Sequence, residues 1–266
     1  MKREPYVKRL LHSYRQSKKT FILFLILHTL VVLTAIRCLW TKNYESFATC
    51  ILGLVLFLVP ALIADRMKLT IPPLFQAIIF AFIFAAEILG EVDHYYVKIH
   101  GWDTILHTLN GFLFAAVGFS MVYLLNRGSK YFNLTPIYMT MVAFCFSMTI
   151  GVLWEFFECS MDLFFDKDMQ KDFLVQTINS VSLDPANSGE VIHVENITDT
   201  VINTASGQST TVEGGYLDIG ILDTMKDLLV NLIGAVVFSM FGYITLRTSK
   251  SLKVVDKLVI KPAEEE

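Results

Sequence analysis

The sequence predicts an all-α membrane protein, a six-transmembrane-helix bundle with a small extracytoplasmic cap containing a β-hairpin. Three observations predict it. Of 266 residues, 54% are hydrophobic and 18% are charged, against about 45–50% and about 25% in soluble domains. Six stretches are each long and apolar enough to cross the roughly 30 Å hydrocarbon core as a helix. One long polar segment, 159–222, stands between the last two of them and carries β-type alternation.

The elements follow in order. Residues 1–19 form a basic N-terminal segment. Residues 20–158 hold transmembrane helices one to five, read as Phe21–Leu39, Phe47–Ala64, Pro73–Gly90, Asp103–Leu125 and Pro136–Phe157. Pro73 and Pro136 open their helices, where a missing N–H costs little. The first span is too long for a signal-peptide core and has no small-residue cleavage site behind it. Residues 159–222 are the cap, 223–247 the sixth helix, with its apolar run at Asp227–Leu246, and 248–266 a tail.

Lysine and arginine placement orients the bundle. Sixteen of the twenty-two lie in four segments on one side: Lys2, Arg3, Lys8, Arg9, Arg15, Lys18 and Lys19, then Arg66 and Lys68, then Arg127 and Lys130, then Arg247, Lys250, Lys253, Lys257 and Lys261. Both termini are therefore expected in the cytoplasm, with 40–46, 91–102 and 159–222 outside. Arg37, at the edge of span one, lies on the poorer side. Trp40, Tyr95, Tyr96 and Trp102 read as interfacial aromatics at the outer boundary. Cys38, Cys50, Cys145 and Cys159 show no CxxC spacing and read as small apolar residues; Cys38 and Cys50 lie close enough to one boundary to pair.

The cap holds ten acidic residues and two lysines. Met161–Asn179 is amphipathic enough to lie on the membrane surface. Val191–Glu195 alternates, and Thr200–Asn203 and Ser209–Val212 flank Ala205-Ser-Gly-Gln208, a hairpin signature.

The ionisable residues near the spans carry the functional signal. Span three ends with Glu87 and is followed by Glu91 and His94. Span four opens with Asp103, and His107 and Asn110 follow. Span five ends with Glu155 and Glu158, then Asp162. Span six opens with Asp223 and Asp227, then Asn231 and Gly234. Asp103 shares a helix face with His107, as do Glu155, Glu158 and Asp162, and Asp223, Asp227 and Asn231. Spans three and five carry their acids at the end, spans four and six at the start. With the expected topology all lie within about 10 Å of the outer boundary. Ionisable groups inside a bilayer cost about 2.5–3.5 kcal/mol each and usually face a bundle interior or a water-filled cavity. The expectation is one polar, acidic pocket opening outward.

Plainer roles compete. Asp103 and Asp227 fit helix N-termini, where acids are favoured. Asn231 and Gly234 fit helix packing, and Asp103 with His107 an internal hydrogen bond. Glu155 resists such a role, because it sits at a helix C-terminus, where the dipole disfavours an anion, among Trp154, Phe156 and Phe157. His28 in span one reads as a packing residue.

The runs Trp102-Asp103…His107, Gly151-x-x-x-Glu155-x-x-Glu158 and Tyr216-Leu-Asp-Ile-Gly…Asp223-Thr-Met-x-Asp227…Asn231-x-x-Gly234 resemble the YjdF-like bacterial membrane proteins over nearly the whole chain. The resemblance implies the bacterial cytoplasmic membrane; it implies no reaction, since that family's function is not established. The last three spans are also similar to VanZ-like proteins through Asp103/His107, Gly151/Glu155 and Asp227/Asn231/Gly234, with Glu158 near where those proteins have Gln.

Three function classes stay open. One is an enzyme on a lipid-linked or cell-envelope substrate, with Asp103, His107, Glu155, Glu158 and Asp227 as candidate ligands of a divalent cation, and Glu155 and His107 as candidate catalytic acid and base. Glu87, Glu91, Asp162, Asp223 and Asn231 would line or support the pocket. One His among carboxylates suits Mg²⁺ or Mn²⁺. The second is a carrier of a cation or an envelope lipid, and the third a non-catalytic membrane partner. The expected surroundings are the lipid bilayer and envelope lipids or glycan precursors. No nucleotide loop, nucleic-acid patch or haem motif is present, and oligomeric state is not legible.

Overall fold

The structure is a computed structural model, and it describes residues 17–128, 133–248 and 252–263. The basic residues Lys2, Arg3, Lys8, Arg9 and Arg15, and Lys130 and Lys250, lie outside the described residues. The chain divides into two compact units, one of residues 1–151 with 228–266 and one of residues 152–227.

Among the described residues, six helices are long and apolar enough to cross a membrane: Lys18–Trp40, Tyr44–Met67, Pro73–Val92, Trp102–Arg127, Pro136–Phe165 and Ile221–Arg247. These are spans one to six. Each contains its predicted stretch, extended at one or both ends. Large apolar side chains such as Ile22, Ile26, Leu33, Ile51, Met141 and Met240 are exposed along them, as helices solvated by hydrocarbon require.

Local chemistry sets the helix ends of the larger unit. The Ser17 side chain accepts from the Thr20 N–H at the start of span one, and Asn43 accepts from the Ser46 N–H at the start of span two, at 3.1 Å. Span two breaks into Tyr44–Leu56 and Val59–Met67, because Pro60 has no N–H to continue the ladder. Span three begins as an α-helix at Pro73–Ile83 and widens into a π-helix over Phe84–Val92. The widened turns carry Glu87 and Glu91.

Two apolar clusters hold this unit. One joins Phe24, Val31, Cys38 and Cys50 to Phe57, Phe80 and Ile88 from spans one to three. The other joins Phe75, Leu113, Phe119, Ala143 and Phe238 to Val255, Leu258 and Val259. The last three belong to the segment expected as a simple tail. Their i, i+3, i+4 spacing buries one face of a short helix, Lys253–Asp256, and the turn after it. Strand β1 (Leu69–Thr70) then pairs with β8 (Lys261–Pro262). All four cysteines are free thiols, and Cys38 and Cys50 are buried, which gives them the apolar packing role rather than a disulfide.

The smaller unit is the end of span five, the cap strands and the start of span six. Met161–Asn179 divides among several elements. Its first residues complete span five to Phe165, and Asp166 leaves the helix at φ 53°. Strands β2 (Leu174–Val175) and β3 (Ile178–Ser180) occupy the rest. β2 pairs with β7 (Tyr216–Leu217) and β3 with β4 (Ile192–Val194). β5 (Asp199–Asn203) and β6 (Ser209–Glu213) form the expected hairpin, with Asn203 opposite Ser209. Gly207 closes its turn at φ +85°.

Candidate functional site

In the larger unit, spans four, five and six meet at Asn231. The side chain is 1% exposed. Its Oδ1 accepts from Asn110 Nδ2 at 3.2 Å, and its Nδ2 lies 3.5 Å from Met148 Sδ. Ser147 Oγ donates to the Gly111 carbonyl at 2.7 Å. Glycines permit this closeness. A Cβ on Gly111 would stand 2.0 Å from the Asn231 carbonyl oxygen, one on Gly234 2.0 Å from the Thr108 carbonyl oxygen, and one on Gly151 2.6 Å from Asn231 Nδ2. Three residues of the sequence motifs, Gly151, Asn231 and Gly234, thus pack at one helix junction.

One turn before Gly111, His107 is buried at 8% exposure. Its Nε2 lies 3.3 Å from Asp103 Oδ1, the pairing expected from their i, i+4 spacing. Glu87 and Glu91 lie on the π-helical turns. Gly53 of span two faces the Glu87 Cβ, which an added methyl there would meet at 3.8 Å; Glu91 is exposed. His94 adopts φ 61° at the turn that follows. Arg37 donates to Asp93 Oδ1 at 2.7 Å, which gives the cation on the arginine-poor side a local counter-charge.

In the smaller unit, five acidic side chains are buried: Asp184 at 6% in the cap, and Glu155 at 4%, Glu158 at 8%, Asp223 at 4% and Asp227 at 1% exposure on spans five and six. Trp154 Nε1 donates to Glu158 Oε1 at 2.8 Å, so the aromatic flank serves as a hydrogen-bond donor one turn back. Lys226 reaches two of the acids, with Nζ 2.7 Å from Asp223 Oδ1 and 3.6 Å from Asp227 Oδ1. It also lies 5.6 Å from the centroid of the Phe173 ring.

The remaining acids fix loops. Asp162 accepts from the N–H groups of Met169 and Gln170 at 2.6 and 2.8 Å. Asp223 Oδ2 accepts from the Lys171 N–H at 2.9 Å. Asp218 accepts from Phe173 and Leu222 at 2.7 and 2.8 Å and from Gly220 at 3.3 Å. Burial alone pushes the Asp218 carboxyl up, but these backbone donors outweigh it and hold it below the usual carboxylate range. The N–H of Ala186, with Ser188, lowers Asp184 in the same way. Asp162 and Asp223 thus spend carboxylate oxygens on the chain's return from span five to span six.

The sequence reading missed Lys226 as a site residue. The signal was available: lysine three residues after one acid and next to another, on a helix start. It also missed Ser147 and Gly111, which carry no charge and gain meaning only from the opposing helix.

Residues 20–248 match the model of a family described as a predicted membrane protein, DUF2238. No curated protein matches, and no solved structure matches.

Proposed function

The chain belongs to the DUF2238 family of predicted membrane proteins, and on that premise we propose that it binds a divalent cation through ionisable residues at the outer ends of its last spans. The lysine and arginine distribution supports a topology with both termini on the inner side, and the resemblance to the YjdF-like proteins implies the bacterial cytoplasmic membrane. The candidate ligands we assign are Asp103 and His107 in the larger unit, and Glu155, Glu158 and Asp227 in the smaller unit.

The observation that carries the proposal is the Asn231 junction. Gly111, Gly151 and Asn231 are in contact there. His107 precedes Gly111 by four residues, Glu155 follows Gly151 by four, and Asp227 precedes Asn231 by four. Each step is one helical turn, and in the proposed topology each runs toward the outer boundary. Packing accounts for the glycines and the asparagine. It does not account for a histidine or acid one turn beyond each of them, where a charge costs about 2.5–3.5 kcal/mol in a bilayer.

Carboxylates with one imidazole suit Mg²⁺ or Mn²⁺. A hard cation at a membrane face polarises phosphoryl or carbonyl oxygens. We therefore read the protein as a metal-assisted enzyme on a lipid-linked or cell-envelope substrate, with His107 and Glu155 as its acid–base candidates.

Thermal stability of the detergent-purified protein across a panel of divalent ions tests this. Mn²⁺ or Mg²⁺ should raise the melting temperature, and Glu155→Gln and His107→Ala should each abolish the rise while leaving a folded protein. No rise with any ion ends the cation reading.

A further inference from the structure

Within the larger unit, spans five and six leave an open groove of about 500 Å³, lined by Ile137, Met141, Phe144, Val236, Met240 and Tyr243, among others. Its lining runs along span six from Val236 to Ile244, roughly 12 Å of helix. That is close to the apolar depth of one leaflet, half of a core about 30 Å thick. Met141, Val236, Met240 and Ile244 are exposed there.

One end of the groove is charged. Arg247 Nη1 donates to the Tyr243 hydroxyl oxygen at 2.5 Å, and its guanidinium carbon lies 5.8 Å from the centroid of the same ring. Tyr243 therefore both lines the groove and fixes the cation beside it. Arg247 is exposed, at the end of span six, and among the described residues its side-chain bond is to this phenol rather than to a carboxylate. Lys250 and Lys253 follow in the sequence.

We infer that this groove holds one anionic phospholipid, an acyl chain along Met141 and Met240 and the phosphate on Arg247. A planar guanidinium matches a phosphate with two parallel N–H donors, and basic residues beside a span attract anionic headgroups. The groove is close to one leaflet in length and has a cation beside Tyr243 at one end. A phospholipid brings both an apolar chain for the groove and an anion for Arg247. The inference is independent of the cation proposal.

Native mass spectrometry of the full chain, stripped of lipid and titrated with phosphatidylglycerol or phosphatidylcholine of the same acyl chains, tests it. One phosphatidylglycerol should stay bound about tenfold more tightly than phosphatidylcholine. Arg247→Gln should remove that preference and Arg247→Lys should keep part of it. Met240→Trp, which fills the groove, should weaken both lipids. Each variant is checked for a wild-type melting temperature first. Equal retention of the two lipids by the wild type, or an unchanged preference in Arg247→Gln, overturns the inference. So does a protein dimer that binds no lipid and dissociates in Met240→Trp.

Discussion

The backbone carbonyl of Asn231 lies so close to Gly111 that a Cβ on the glycine would meet its oxygen at 2.0 Å. Backbone cannot yield as a flexible side chain can, so spans four and six would have to separate. Gly111→Ala should lower stability by about 1–3 kcal/mol, the usual cost of overpacking, and Gly234→Ala should do the same against Thr108. Gly53→Ala is the control for helix propensity and expression, since Gly53 lies within a helix and a Cβ there meets ordinary contacts at 3.8 Å. Unchanged melting temperatures for Gly111→Ala and Gly234→Ala would contradict the junction.

The Asn110–Asn231 hydrogen bond should be worth little by itself. Interhelical hydrogen bonds in membranes average about 0.6 kcal/mol in double-mutant cycles. The cycle Asn110→Ala, Asn231→Ala and the double variant should give a coupling of about 0.5–1.5 kcal/mol, read from unfolding in detergent. Zero coupling would mean that the contact at 3.2 Å contributes shape alone.

Lys226 is the tether of two buried acids. Removing it leaves Asp223 and Asp227 without that ammonium. Breaking a fully buried pair costs about 3–5 kcal/mol, but the Lys226 side chain is 36% exposed, and water screens what remains. Lys226→Met should therefore destabilise by about 1–2 kcal/mol, and the loss should shrink with Asp223→Asn in the same chain. Equal losses in both backgrounds would place the effect elsewhere.

Acid should loosen the cap before the spans. Asp184 and Asp218 are both held below the usual carboxylate range by N–H donors. A folded pKa below the unfolded one gives stability that is complete above about pH 4 and is lost as pH falls through the folded value. Limited proteolysis between pH 5 and pH 2.5 should show cleavage near 184–188 and 218–222 rising with acid. Asp218→Asn should already cut faster at neutral pH. A cap equally resistant throughout the range would contradict the assigned bonds.

The spans were legible in the sequence because a bilayer imposes a length and a composition on each crossing. The 199–213 hairpin was legible because alternation and a glycine turn are local signals. The β3–β4 pairing was not, since Ile178–Ser180 is three residues long and draws its partner from Ile192–Val194. The π-helical widening at Phe84–Val92 has no proline or insertion to announce it. The packed tail was hidden because Val255, Leu258 and Val259 form too short a pattern to read alone. At the candidate site, Asp103 and His107 pair as their spacing predicted. Asn231 packs against Gly111, one of the roles its sequence position left open, and neither Gly111 nor the Ser147 that donates to its carbonyl shows anything until another helix is laid against it.

The most direct test of the central proposal is electron paramagnetic resonance of Mn²⁺ titrated into the detergent-purified full chain. Mn²⁺ should bind specifically, with whole-number stoichiometry and displacement by Mg²⁺. His107→Ala and Glu155→Gln should each reduce affinity at least tenfold, and Asp162→Asn, a change in a loop-fixing acid, should not. Free Mn²⁺ throughout the titration, or binding equally indifferent to all three substitutions, would contradict the proposal.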